Sequence, residues 1–262
     1  MRLSISNIAW SPFQDKAVYE AMSKNGFTGL EIAPTRVFPD HPYEELGSAR
    51  RWAGHLKKEY DFTISSIQSI WFGRQEKLFG SDGERSILMD YTKKAIDFAA
   101  AVGCTNLVFG CPSNRNIPEN AKTDAALSFF NDLGTYAWDH GAVLSLEANP
   151  PIYNTNYINT TLSAIDLIKA VGSRGFRLNL DVGAMIYNGE SVNDLEGSIS
   201  FINHVHISEP WLEPVMERKL HGELKAVLLH NGYQGYISIE MKNTKKLDII
   251  RQKISYVKEV FQ

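Results

Sequence analysis

Glu147, Asp181, His206 and Glu240 are separated by 34, 25 and 34 residues. Each lies at or near the end of a short apolar run: VLSLE, FRLNLD, HVHIS and YISIE. Carboxylate oxygens and an imidazole nitrogen are donors for a divalent cation. Three carboxylates gathered in a partly buried space repel one another, and some protonate unless a cation neutralises them. A set of three oxygens and one imidazole suits one Mn²⁺, Mg²⁺ or Co²⁺ ion better than a metal that prefers thiolate, and Zn²⁺ is also compatible. Taken singly, each residue has a plainer reading. A lone rim glutamate pairs with Lys or Arg, and a lone strand histidine is a hydrogen-bonded core residue. Four such residues on successive runs are harder to explain that way.

Alternation along a strand gives the four a common direction. Leu144 and Leu146 point one way, and Ser145 and Glu147 the other. Leu178 and Leu180 oppose Asn179 and Asp181; Ile237 and Ile239 oppose Ser238 and Glu240; Val205 and Ile207 oppose His204 and His206. Leu30 and Ile32 oppose Glu31 more weakly in the same manner. With the apolar side packed on helices, the polar side faces the interior.

The elements that must carry these residues are eight β-rich runs: Leu3–Asn7, Gly29–Ala33, Thr63–Gln68, Asn106–Gly110, Val143–Glu147, Phe176–Asp181, His204–Ile207 and Tyr236–Glu240. Helical spacing fills the intervals, as in Ala95, Phe98, Ala99 and Val102 before Gly103. Gly26, Gly103, Gly141, Gly172 and Gly232 each stand shortly before the next strand, where a left-handed helix cap favours glycine. The longest irregular stretches follow strands: 71–82, 112–118 and 209–219. Eight strand–helix units predict an α/β fold, a single (β/α)8 TIM barrel over residues 1–262. An open doubly wound sheet is the alternative, but no strand is followed by G-x-G-x-x-G. In a barrel, Glu147, Asp181, His206 and Glu240 meet at the C-terminal rim, where barrel enzymes carry their chemistry.

The 262 residues fit one such barrel, and 44% apolar with 22% charged residues is ordinary for a globular protein. A net charge of −3 argues against nucleic acid as partner. Arg50-Arg51 before Trp52 reads as a solvated helix face. Cys104 and Cys111 flank a strand and lack metal-site spacing, so both are expected to be free buried thiols. MRLSISNIAW has no long apolar signal region, and no apolar run reaches the ~18 residues of a membrane span. The expectation is a cytoplasmic protein without a membrane partner.

SLEANP, LNLDVG, HVHISE, GYQGYISIEM and, at the second strand, GFTGLEIAP resemble the sugar phosphate isomerase/epimerase group with the xylose isomerase-like barrel. Its members include ketose 3-epimerases, hydroxypyruvate isomerases, inosose dehydratases and, more distantly, endonuclease IV. The resemblance implies that Glu147, Asp181, His206 and Glu240 hold one divalent metal and that the substrate is a small carbohydrate. It implies that Glu147 and Glu240 flank the substrate as catalytic residues. One removes a proton from the carbon beside the carbonyl to give a cis-enediolate, and the other returns it. Asp181 and His206 are implied as ligands only, and a homo-oligomer is implied as well. Two features depart from the ketose epimerase pattern. Ala184 stands where a His usually follows the ligand Asp, and the acid Glu209 has no Arg beside it. Free-ketose 3-epimerisation is less well matched than action on another sugar or sugar phosphate.

Other rim residues are candidates for binding substrate. Trp10, Trp71 and Trp211 could form an aromatic wall, with loop packing as the plainer reading. Asn7, Glu31, Gln68, Asn149, Asn179 and Lys242 could bind hydroxyls or orient ligands, and the resemblance adds Glu209. His204 reads as structural and His221 as a surface residue. Two further readings stand beside the isomerase or epimerase: a dehydratase of a keto-polyol working through the same enolate, and a non-catalytic sugar-binding protein. A nuclease is least favoured, because three-metal nucleases of this fold use several more histidine ligands, and of the seven histidines here only His204 and His206 fall clearly on strands.

Overall fold

The computed structural model describes residues 1–119, 121 and 123–262. Eight parallel strands close in sequence order into a barrel. They are β1 (Arg2–Ser6), β2 (Gly29–Ile32), β3 (Thr63–Ile67), β4 (Asn106–Phe109), β5 (Val143–Glu147), β6 (Phe176–Asp181), β7 (Ile202–Ile207) and β8 (Tyr236–Ile239). The expected strand ends hold within two residues. Between and after the strands come α1 (Asp15–Lys24), α2 (Leu46–Tyr60), α3 (Asp82–Val102), α4 (Asp124–Asp139), α5 (Thr161–Val171), α6 (Val182–Asn188), α7 (Lys219–His230) and α8 (Leu247–Phe261). A single helical turn, Pro34–Val37, follows β2. No helix among the described residues is long and apolar enough to cross a membrane.

Helix ends follow local chemistry. At the start of α3, Ser81 Oγ accepts from the Glu84 N–H at 3.2 Å, and Glu84 returns a carboxylate oxygen to the Ser81 N–H at 2.9 Å. Such a reciprocal cap contributes about 1 kcal/mol. The same helix ends on Gly103 at φ 70°, a left-handed value that costs glycine little.

The apolar core lies between sheet and helices. Leu144, Leu146, Leu178, Leu180, Val205, Ile207, Ile237 and Ile239 are all buried there. They meet helix stripes such as Ile250, Ile254, Val257 and Phe261 of α8. The barrel axis is different, for it is filled with polar side chains. Ser4 and Ser65 hydroxyls lie 2.6 Å apart, Asn106 donates to Ser66 at 2.8 Å, and Ser145 and Asn203 both donate to Asn106 Oδ1. Barrel interiors are usually layers of branched aliphatic residues. Here the axis carries a hydrogen-bonded column that rises towards the rim.

Candidate metal centre

Strand register sets the rim. Asp181 stands level with His206 across β6 and β7, and Glu147 level with Asn179 across β5 and β6. A register shift at Leu178/Asn179 helps place β6 against β7. Glu147, Asp181, His206 and Glu240 converge, each offering an atom within 4.8 Å of the others. All four side chains are at least about nine-tenths buried.

His206 Nδ1 faces the acids, 3.0 Å from Glu147 Oε1, 3.2 Å from Glu240 Oε2 and 3.9 Å from Asp181 Oδ2. Its Nε2 lies 3.0 Å from Glu31 Oε2. Glu31 therefore favours the tautomer with the proton on Nε2, leaving Nδ1 as a lone-pair donor, an arrangement common at metal-bound histidines. Glu31 itself is wholly buried, with His204 Nε2 at 2.8 Å and Gln68 Nε2 at 2.9 Å. Burial opposes its charge, but His206 and His204 hold its carboxyl well below the usual range. Glu31, Gln68 and His204 thus form the layer beneath the four, and His204 has the structural setting the sequence suggested. Glu31, His204 and His206 also form a compact group, but both imidazoles face Glu31 through Nε2, so this group reads as hydrogen-bonded support.

The other donors are oriented as firmly. Asp181 caps α6, accepting from the Ala184 N–H at 2.5 Å and from the Ser208 hydroxyl at 2.7 Å. Asn149 Nδ2 donates to Glu147 Oε2 at 2.9 Å, and Asn179 Nδ2 to Oε1 at 2.8 Å. Gly110 leaves room for that carboxylate, since a Cβ there would stand 2.8 Å from Glu147 Oε2.

The electrostatics fit a cation. Burial, then Glu147 and Glu240, push the Asp181 carboxyl well above its ordinary value. Burial also pushes Glu240 up, against the pull of His206. Burial disfavours a charged His206, but Glu240 and Glu31 more than offset it and hold its pKa well above the ordinary value. A divalent ion among these groups would relieve the repulsion between acids and take the place of protons. Cys111 borders the site, but burial pushes its thiol up to about 12, so it stays protonated.

A cavity of about 150 Å³ opens on the cluster, lined by Gln68, Ser69, Val108, Gly110, Cys111, Pro112, Glu147, Asn149, Tyr153, Asp181, Leu212 and Glu240. A larger crevice of about 690 Å³ lies beside it and shares Ser69. The metal-competent groups go with the smaller one, which three of the four line.

Several rim candidates stand elsewhere. Trp10 and Trp71 are 1% and 2% exposed and form no wall. Trp10 Nε1 donates to Asp15, and Trp71 Nε1 donates to Thr92 while the ring packs on Phe109 and Phe129. Trp211 is 57% exposed and reaches the cavity's neighbourhood only through Tyr153, edge to face. Lys242 does not point inward: β8 has ended, its ammonium pairs with Glu213, and its N–H donates to Leu212 O. Asn7 turns its Oδ1 to the Ala33 N–H. His221 is buried rather than exposed, on the inner face of α7 with Nδ1 2.8 Å from the Tyr256 hydroxyl. Cys104 is a buried free thiol, whereas Cys111 is half-buried.

The two departures take a physical form. The backbone N–H of Ala184 caps Asp181. Glu209 does have an arginine, supplied nine residues later: Arg218 grips both its oxygens, Nε to Oε1 at 2.7 Å. Sequence reasoning missed Arg218, Tyr153, Leu212, Ser208 and a wholly buried Arg115, all on or beside loops. Asparagines tie those loops together. Asn116 and Asn156 link the loops after β4 and β5 through four hydrogen bonds. Asn114 reaches back to the loop after β3, and Asn188 at the end of α6 donates to Asn159 O.

A family model described as xylose isomerase-like TIM barrel matches residues 19–260. The chain belongs to the xylose isomerase-like TIM barrel family. This xylose isomerase-like barrel is similar to the 3-keto-D-glucoside 4-epimerase YcjR from E. coli, at 18% identity and TM-score 0.76 over 99% of each chain. It is similar to the D-psicose 3-epimerase of Clostridium cellulolyticum H10, solved with D-tagatose, at 15% identity and TM-score 0.81 over 100% of each chain. It is also similar to the IolI protein solved with a binding zinc atom, at 16% identity and TM-score 0.73, covering 99% of this chain and 96% of that one. At these identities the likeness is one of fold. No curated protein matches the sequence.

Proposed function

We propose that the protein is a divalent-metal-dependent isomerase or epimerase of a small sugar or sugar phosphate. The observation that carries this reading is the convergence of Glu147, Asp181, His206 and Glu240 within 4.8 Å at the floor of a rim cavity. Epimerases among the similar structures, and a zinc-bound one, support it.

The four residues would hold one ion: Mn²⁺, Mg²⁺ or Co²⁺ by donor type, with Zn²⁺ also compatible. When bound, the ion supplies Lewis acidity, which polarises a carbonyl and makes the neighbouring C–H more acidic. The chain's own residues then do the rest. Glu147 and Glu240 both face the cavity, and each carries a carboxylate able to take or return a proton as the substrate passes through a cis-enediolate. Asn149 and Gln68 present polar edges to the same cavity, suited to sugar hydroxyls. Tyr153 and Leu212 add an aromatic ring and an aliphatic chain to its wall, which leaves less room for water. Glu31 holds His206, and Asp181 is held by α6 and Ser208.

The test begins with elemental analysis of wild type beside the Glu147→Gln/Asp181→Asn double variant. About one divalent ion per chain, lost in the variant, is expected. Small sugars and sugar phosphates are then screened for solvent-deuterium incorporation, which Glu147→Gln and Glu240→Gln should abolish with the fold retained. A wild type that takes up no ion from excess Mn²⁺ refutes the metal centre. Release of a dehydrated, UV-absorbing product would reassign the reaction to a dehydratase.

A further inference from the structure

Arg115 is 0% exposed, yet its guanidinium meets neutral partners. Nη1 donates to the Glu147 backbone carbonyl at 2.9 Å, and Nη2 donates to Asn149 Oδ1 at 2.9 Å and to Ile158 O at 3.3 Å. Its Nε has no hydrogen-bond partner among the described residues. Burying a guanidinium with no salt bridge among the described residues is costly, so packing alone does not account for it. Burial lowers its pKa only to about 10, and it remains charged at neutral pH.

The arrangement points at Glu147. An arginine can only donate, so Asn149 must turn its carbonyl oxygen towards Arg115. That choice leaves the Asn149 NH₂ facing Glu147 Oε2, where it donates at 2.9 Å. Without Arg115 the amide oxygen loses its donor and the Asn149 side chain is held by Glu147 alone, so it no longer anchors that carboxylate to the surrounding loop. The second arm of the fork fixes the Glu147 main chain at the end of β5. One side chain therefore sets both the position of Glu147 and the direction of its carboxylate. Only a planar, forked donor spans both acceptors at once; an ammonium does not.

We infer that Arg115 is a positioning residue for Glu147, acting directly on its backbone and, through Asn149, on its carboxylate. This rests on the metal-centre reading above. Substitutions that loosen such supporting groups commonly weaken metal binding ~10–100-fold.

The test is Mn²⁺ affinity, measured by titration with EPR detection of free Mn²⁺, alongside thermal melts of the metal-free proteins. Arg115→Met, Arg115→Lys and Asn149→Ala are each expected to weaken Mn²⁺ binding at least ~10-fold. Arg115→Lys should fare little better than Arg115→Met, because retained charge does not restore the fork. The Arg115→Met/Asn149→Ala double variant should fall well short of the product of the single effects, since both act on one carboxylate. Arg115→Lys, which keeps the buried charge but not the fork, decides the matter should Arg115→Met fail to fold. Variants with a lowered melting temperature but wild-type Mn²⁺ affinity would overturn the inference and leave Arg115 a structural residue. A wild type that binds no Mn²⁺ overturns the metal-centre reading itself, and this inference with it.

Discussion

Gly110→Ala adds one methyl group to the floor of the cavity and should cost the metal centre more than the fold. Gly110 has no left-handed φ, so the backbone accepts alanine. Removing a glycine's freedom would ordinarily stabilise the chain by about 0.4–1 kcal/mol. The new Cβ, however, lands 2.8 Å from Glu147 Oε2 and 3.4 Å from Asn149 Oδ1. Ordinary contact begins near 3.4 Å, so the carboxylate must retreat by about 0.6 Å. It has little freedom, being held by Asn149 on one oxygen and Asn179 on the other. Metal–ligand distances tolerate about 0.2 Å. A displaced ligand should weaken Mn²⁺ binding ~10–100-fold, or about 1.4–2.8 kcal/mol, with the melting temperature of the metal-free protein within a few degrees of wild type. The assay is the same EPR titration, paired with a thermal melt. Wild-type affinity in Gly110→Ala would refute the placement of Glu147 as a ligand. A collapse in melting temperature would refute the claim that the clash is confined to the site.

Two further outcomes are expected. Burial holds the His221 imidazole down at about 4, against an ordinary 6.5. The unfolded chain then binds the extra proton between those values, so stability is complete above pH ~6.5 and declines as pH falls to ~4, by roughly 3 kcal/mol. Urea unfolding across that range should show a shallower decline in His221→Leu, and an unchanged decline would refute the assignment. Trp71→Phe loses the 2.7 Å bond to Thr92 and should cost about 1–2 kcal/mol of stability with no change in Mn²⁺ affinity or sugar binding. A selective loss of sugar binding at unchanged stability would return Trp71 to the cavity wall.

Side-chain alternation made the strands readable. It turned Glu147, Asp181, His206 and Glu240 to one side, and closure of the barrel in strand order brought them together. Glu31 carried the same signal, but alternation gives only its direction; the two imidazoles it holds are set by closure of the barrel, which brings its carboxylate to His204 and His206. The pattern lapses where strands end. Lys242 lies two residues past Glu240 in the alternation, but β8 stops at Ile239 and the chain turns outward. Trp10 and Trp71 follow strands in sequence yet fold back into the core, a choice made by partners as distant as Thr92, Phe109 and Phe129. Arg115 and Arg218 sit in loops without periodicity, and only tertiary structure shows what they hold. His221 is a different kind of miss: with Leu224 and Leu228 it completes an i, i+3, i+7 stripe that helical spacing could have revealed.

The asparagine ties also govern traffic. The described residues of the loops after β3, β4 and β5 and the end of α6 are joined edge to edge by hydrogen bonds each worth about 1 kcal/mol net, so displacing one pulls on its neighbour. They make a fixed frame, and a fixed frame sets which molecules fit. The segment 210–217 is suspended differently, slung from the Glu209–Arg218 clamp, with Trp211 on the Tyr153 hydroxyl and Leu212 over the cavity. Trp211 and Leu212 both hold left-handed backbone, at φ 64° and 53°, a strained conformation for side chains with a Cβ that persists only while its surroundings hold it. On the function proposed above, size selection would fall to the tied loops and to Leu212, and the rate of entry and release to the rest of this span. Changes at Trp211 should then alter how fast molecules pass, whereas a change at Leu212 should also alter which ones are admitted.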